Sequence, residues 1–362
     1  MSEHAPQFEL NTPAAVSTVS FGPSNSLAVG SDDGSVRIYE LPAPKVAKAV
    51  RGLGQDVASV CWVQPKSADR AALWVGSGPV AYLFDLASTK LVLQPADAVR
   101  RVRLGEDDED VVNELSVNEA RKTLAFGTDA GTVGVVELSS LAVTRMRTAH
   151  TNISSSVKFV PDRPSELFSG GFDSALIHFD YKQNTVLSRL DIASAPPTSG
   201  VSMSPPFILS TAVSPSGVVA ATTADGRLWI GGGGDKNAPS VDKKKRSRKW
   251  EGLREQDGTF VQVADGPVVS CAFAPASTAL FTSTLLGRLA RHDITYDEQK
   301  KITAKTSWNA EVKYLAKVNG IAVNEKYLVI GGILKDGKGS VEVWSLPDEN
   351  ASAAEKLAQL SL

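Results

Sequence analysis

Short runs of alternating apolar and polar residues recur along the whole chain, paired across tight polar turns. The clearest copy is LAVGSDDGSVRIYEL, Leu27 to Leu41. Six further copies span Ala72 to Leu86, Leu124 to Leu138, Leu167 to Tyr181, Val219 to Ile230, Leu280 to Ile294, and Leu328 to Leu346. A further short run precedes each copy: VSTVSF, VASVCW, VNELSV, SSVKF, LSTAVSP, VVSCAF and NGIAV. Alternation with period two predicts strands, and Asp32-Asp33-Gly34 and Ala224-Asp225-Gly226 predict tight hairpins between them. Weaker runs predict an outer strand per unit: Val46 to Arg51, Leu91 to Gln94, Val143 to Arg147, Val186 to Leu190, Phe260 to Ala264 and Val312 to Ala316.

The units repeat every about 44 to about 60 residues, the range of a propeller blade with loop insertions. Alternation implies that each four-stranded sheet has one apolar face, which a single sheet cannot bury. Neighbouring sheets closed into a ring can, and closure leaves only short protected edges. The expectation is an all-β, seven-bladed β-propeller with four-stranded blades. The seventh outer strand is expected from the N-terminus, Phe8 to Asn11, with Leu357 to Leu360 as the competitor. Residues 1–350 are expected to form this single propeller, with 231–259 a flexible basic insertion in the fifth blade and 351–362 a C-terminal tail.

At 362 residues, length alone suggests two domains, and the repeats override it. A hydrophobic content of 42% suffices for a core, and a net charge of −2 gives no global pull toward nucleic acid or anionic lipid. No apolar stretch approaches membrane-spanning length, and MSEHAPQFEL lacks the basic-then-apolar pattern of a secretory signal. Cytoplasm, nucleus or both is the expected location. Cys61 and Cys271 fall within predicted innermost strands, where free buried thiols are expected.

Two charge blocks interrupt the rhythm. Lys243, Lys244, Lys245, Arg246, Arg248 and Lys249 follow Gly231 to Gly234 and precede Trp250. Such a loop reads as a solvated linker, a nuclear import signal, or a contact for nucleic acid or an acidic partner. Between the second and third units, Arg100, Arg101 and Arg103 precede Glu106, Asp107, Asp108, Glu109 and Asp110. The two signs either screen each other or the acids form a partner surface.

Chemistry is sparse. The histidines are His4, His150, His178 and His292, none at metal-ligand spacing with Cys or His. There is no Gly-x-Ser-x-Gly elbow, and the glycine run lacks the Lys-Ser/Thr pair and following helix of a phosphate loop. No catalytic residue, metal or cofactor is expected.

The repeats resemble the WD-repeat superfamily over nearly the whole chain. The Trp-Asp ending is degenerate, as Tyr39-Glu40, Phe84-Asp85, Val136-Glu137, Phe179-Asp180 and Trp344-Ser345. The fourth unit matches best, and the resemblance implies a structural hydrogen-bond network of His150, Ser169 and Asp173, with Phe179 in place of the indole donor. No other unit offers the histidine, so the others are expected to rely more on packing. The run Ala149 to Asp173, the acidic lead-in Glu106 to Asp110 and the basic insert are similar to the WD repeat-containing protein 53 family. Resemblance to such proteins implies a non-enzymatic, monomeric scaffold that recruits a client protein. It also implies a substrate receptor docking on the damaged-DNA-binding protein 1 adaptor of a cullin-4 ubiquitin ligase. Asp180 is at the aromatic–Asp–x–Arg docking signature, with Lys182 where Arg is usual; lysine lacks the planar fork. Two other expectations stay open: a nucleic-acid or ribosome-assembly factor using the basic loop, and a dedicated chaperone of one basic client.

Overall fold

In the computed structural model, described over residues 5–63, 71–194, 204–232, 253–254, 258–275, 279–298 and 301–346, the strands form seven sheets, one per unit, antiparallel but for one added strand and arranged as a ring of blades. Each blade runs from an innermost strand outward. Blade four is typical: Ser154–Phe159, Glu166–Gly171, Ala175–Asp180 and Thr185–Asp191.

Seven apolar clusters hold the ring, one in each seam between neighbouring blades. Consecutive residues of one strand serve opposite seams. Ala28 packs toward blade two, while Leu27 and Val29 pack toward blade seven. This corrects the expectation of one apolar face per sheet. Each blade is sandwiched between two others, so the central strands are buried on both faces, as the runs Leu27–Ser31 and Leu167–Gly171 show.

The innermost strands carry a second repeat. All seven pair with their neighbour through a register shift: Val16/Thr18, Val57/Ser59, Val112/Glu114, Ser154/Ser156, Ile208/Ser210, Val268/Ser270 and Val318/Gly320. At four of these bulges the skipped residue donates to the first carbonyl of the next blade: Ser17 to Val57 (2.6 Å), Asn113 to Ser154 (3.2 Å), Ser155 to Ile208 (2.6 Å) and Asn319 to Val16 (2.7 Å). The last of these joins blade seven to blade one. Close approach here also explains Gly30, where a Cβ would fall 2.6 Å from Thr18 and 2.7 Å from Val57 of the next blade.

The N-terminal segment closes the ring. Phe8–Thr12 pairs antiparallel with Gly339–Ser345 in the register Phe8↔Val343 to Thr12↔Gly339, and Leu10 is buried in the seam of blades seven and one. The competing Leu357 to Leu360 lies outside the described residues.

Two outer strands differ from expectation. In blade two it is Arg100–Arg103, not Leu91 to Gln94. Val92–Leu93 instead adds a parallel fifth strand to blade one beside Ala49–Val50, because Leu93 is buried in the seam of blades one and two. In blade six it is Ile302–Glu311, not Val312 to Ala316. The latter run connects to blade seven: Leu315 enters their shared core, and Glu342 accepts the Lys313 and Tyr314 N–H groups at 2.8 and 2.7 Å. The start and end of the expected insertion are also corrected. Gly231 and Gly232 end the strand Arg227–Gly232, and Gly258 starts Gly258–Gln262, the two being paired.

Blade six contains a pH-sensitive group. His292 is buried between Thr282 (3.0 Å) and Thr306 (3.1 Å), and burial pushes its pKa down to about 4, against a smaller upward pull from Asp293. The unfolded chain takes up that proton near pH 6.5 and the folded chain only near 4. Stability from the neutral ring is therefore full above pH 6.5 and is lost as pH falls toward 4. The loss is on the order of 3 kcal/mol. Urea unfolding at pH 7 and pH 4.5 should show a smaller loss on acidification in His292→Gln than in the wild type. An equal loss would refute this assignment.

Candidate interaction surface

The turn between the second and third strands of each blade meets the connection to the next blade on one face of the ring. Backbone bonds join the two, as in Leu53 N–H to Gly34 O, His150 N–H to Gly131 O and Val263 N–H to Gly226 O. The turns need left-handed backbone, supplied for instance by Gly34 (φ 70°) and Gly226 (φ 88°).

In blade four the His150 ring lies buried with Nδ1 at 2.8 Å from Asp173 Oδ1 and Nε2 at 2.7 Å from Ser169 Oγ. Burial alone would raise the Asp173 carboxyl. The His150 hydrogen bond and charge, with N–H groups of Thr151 and Ala175, hold it below the usual carboxylate range instead. This arrangement joins the lead-in loop, the second strand and the hairpin turn of one blade.

Blades one and five add side-chain networks of their own to the packing that the sequence leads one to expect. Their turn acids take an arginine where blade four has its histidine. Asp225 in blade five is buried and meets Arg227 at 2.6 Å, while Thr223 donates to the same carboxylate. Arg227 also donates to Ala193 O (2.7 Å) and lies 4.9 Å from the centre of the Phe260 ring. In blade one, Arg37 is buried against Ser35 (2.8 Å) and Asp33 (3.5 Å). These arginines read in sequence as ordinary solvent-facing strand residues. The signal was their spacing, two and four residues past the turn acid.

The acidic lead-in is divided between inside and outside. Asp110 is buried and caps Glu106 N–H and Ala130 N–H, at 2.8 and 2.9 Å. Asp107 accepts the N–H groups of Glu109 and Asp110, and Glu106 accepts from Thr132. Arg103 pairs with Asp108 at 2.8 Å, so screening between the two blocks is real for that pair. Arg145 reaches Glu106 only at 4.0 Å. Glu106, Asp107, Asp108 and Glu109 are exposed, as are Asp32, Asp56 and Asp129 on the same face. Burial, with the charges of Asp56 and Asp33, raises the Asp32 carboxyl. These acids form an arc over blades one to three.

Asp180 and Lys182 sit on the opposite face, at the end of the third strand of blade four. Asp180 Oδ1 accepts Lys182 N–H and Gln183 N–H at 3.0 Å each, which closes the turn and leaves the Lys182 residue exposed. Lys243, Lys244, Lys245, Arg246, Arg248, Lys249 and Trp250 lie outside the described residues. Cys61 and Cys271 are free thiols, and burial pushes them up to about 11 and about 12. Among the described residues no acid, histidine and cysteine group is placed to hold a metal ion, and no helix is long and apolar enough to cross a membrane.

Comparison with known proteins agrees with this architecture. Residues 5–40, the closing strand and most of blade one, match the family model described as WD domain, G-beta repeat. A Dictyostelium discoideum protein named WD repeat-containing protein 53 homolog is 28% identical over 166 residues, covering 45% of this chain. The match spans 42% of that relative's length. Among solved structures, a chain in a crystal structure of the mitotic checkpoint complex superposes with a TM-score of 0.69, covering 96% of this chain and 93% of the other. At 14% identity that likeness concerns the fold. Seven blades, the turn networks and the repeat match make the chain similar to WD-repeat proteins, and over 166 residues to WD repeat-containing protein 53 homolog.

Proposed function

We propose that this propeller is a non-enzymatic scaffold that recruits a client protein through the loop face of blades one to three. The observation that carries this reading is the acidic arc of Asp32, Asp56, Glu106 to Glu109 and Asp129. Seven seam cores fix the loops that bear it, so the charges are preorganised. Arginine neutralises only part of the arc, at Asp108 and distantly at Glu106. Such a surface steers and orients a basic segment of a partner. A chaperone of one basic client uses the same surface, and differs only in binding one partner at fixed stoichiometry.

The adaptor role, as a substrate receptor of a cullin-4 ubiquitin ligase, belongs to the opposite face. It is supported by the likeness to WD repeat-containing protein 53 and by the exposed Lys182 beyond Asp180. The test is affinity purification of the tagged chain with quantitative mass spectrometry. Asp32→Lys with Asp56→Lys and Asp107→Lys should remove the client by at least tenfold and leave the adaptor. Lys182→Glu should do the reverse. A client unaffected by the triple reversal would refute the acidic face as its site. Nucleic-acid-bound proteins recovered with wild type, and lost when Lys243 to Lys249 are neutralised, would favour the nucleic-acid reading instead.

A further inference from the structure

The innermost strands surround an axial channel with a cavity of about 520 Å³. Two residues past each bulge partner, blades one to four place Ser20, Cys61, Ser116 and Lys158 around it. The equivalent residues of blades five to seven are Ala212, Ala272 and Ala322. At this position the wall carries a hydroxyl, thiol or ammonium in four adjacent blades and a methyl group in the other three, where Ser210, Thr211, Ser270 and Asn319 line the channel at neighbouring positions.

On this side Lys158 supplies an ammonium, and Ser20 and Ser116 supply hydroxyls that can donate or accept. Glu114 has both oxygens engaged, Oε1 by the Lys158 ammonium and Oε2 by the Val157 N–H at 2.7 Å. The ammonium has three N–H donors and Glu114 as its hydrogen-bond partner among the described residues. Burial opposes its charge, but the pull of Glu114 outweighs this and raises its pKa, so Lys158 stays protonated.

The seam between blades four and five is also incomplete. In three other seams the residue at the bulge partner position caps an N–H of the next blade: Ser59 caps Leu115 (3.0 Å), Glu114 caps Val157 (2.7 Å) and Ser270 caps Ile321 (3.2 Å). Ser156 holds that position beside Thr211. Both residues are 2% exposed and line the channel, and among the described residues neither hydroxyl, each closed off from solvent, has a hydrogen-bond partner. They converge, since a Cβ on Gly170 would lie 3.0 Å from Ser156 Oγ and 3.1 Å from Thr211 Cγ2.

We propose that the channel binds a compact oxyanion, a phosphate or a carboxylate, held by Lys158 Nζ and the Ser20 and Ser116 hydroxyls on the same side of the wall. The three alanines face any short apolar body attached to it. A cation is disfavoured because Glu114 is already engaged on both oxygens. The local charge of the Lys158–Glu114 pair is zero, so directed donors rather than net charge select the ligand.

The experiment is thermal unfolding of the full chain with inorganic phosphate and, separately, acetate, at ionic strength held constant with sodium chloride. The expected result is a saturable rise in Tm with one of the probes. A larger response to phosphate assigns a phosphate group, and a larger response to acetate a carboxylate. Lys158→Met should raise the half-effect concentration about tenfold or more, through loss of a charge-assisted bond. Glu114→Gln should lower it, because the ammonium is released while the amide oxygen still accepts Val157 N–H. The second variant retains the test if the first fails to fold. No saturable shift with either probe, or a Glu114→Gln response equal to wild type, would overturn the proposal.

Discussion

Deleting residues 1–12 is expected to remove most of the ring's cooperative stability. The segment Phe8–Thr12 supplies the outermost strand of blade seven and buries Leu10 between blades seven and one. Losing Leu10 and the partly buried Phe8 from that seam, together with a five-residue ladder, costs on the order of 5 kcal/mol. That is comparable with the total stability of many domains. The strand Gly339–Ser345 would then be an open edge, a template for pairing between molecules. Chemical denaturation with size-exclusion chromatography should show a lower, broader transition and concentration-dependent association. A synthetic peptide covering residues 5–14 should restore the transition at high concentration. A truncated chain that unfolds at the wild-type midpoint would show that Asn319, which still links blade seven to Val16, closes the ring without help.

The second large effect is expected at Arg227. Its partner Asp225 is 3% exposed and is held by Arg227 and Thr223. Arg227→Ala leaves that carboxylate buried with its charge uncompensated, at a cost of about 3–5 kcal/mol. It also removes the donor to Ala193 O and the cation above Phe260. The double variant Arg227→Met with Asp225→Leu should recover much of the loss, because it removes the orphaned charge as well as the pair. Urea midpoints of the single and double variants decide this. A single variant within 1 kcal/mol of wild type would mean that Asp225 is satisfied by Thr223 and solvent.

The units that could be read in sequence are those whose strands carry an alternating pattern and a glycine turn. Three strands of each blade have the pattern, and six of the seven turns have the glycine, blade four using Ser174 (φ 62°) instead. Outer strands face solvent on one side, so their patterns are dilute. Arg100–Arg103 contains one buried residue, Val102, and was hidden among charges, while the more apolar Val92–Leu93 drew attention and proved to be an added strand on the neighbouring blade. The period-two rule also misled about burial. It describes a sheet with one wet face, whereas a blade has neighbours on both sides.

Side-chain networks were harder to read than strands. His150 stood out because histidine is rare here. Arg37 and Arg227 did not, since a strand arginine usually reaches solvent, and only the nearby turn acid turns it inward. Glu114 and Lys158 had a readable signal. Each is the charged residue in an innermost run that is otherwise small or apolar, VNELSV and SSVKF. Aligning the seven innermost runs by their bulges places the two in neighbouring blades. Their pairing in the channel depended on ring closure, which local pattern does not encode.

The pairing of the first strand with the last blade also sets the order of events during synthesis. At ordinary translation speeds, about 330 residues separate Phe8–Thr12 from its partner, so the first strand waits tens of seconds on the ribosome before that partner emerges. Blades one to six must be assembled around an open gap in the meantime. The blade-one side of the gap therefore stays exposed until residues 339–345 emerge, and a holdase that shields apolar edges would act on this protein chiefly in that interval.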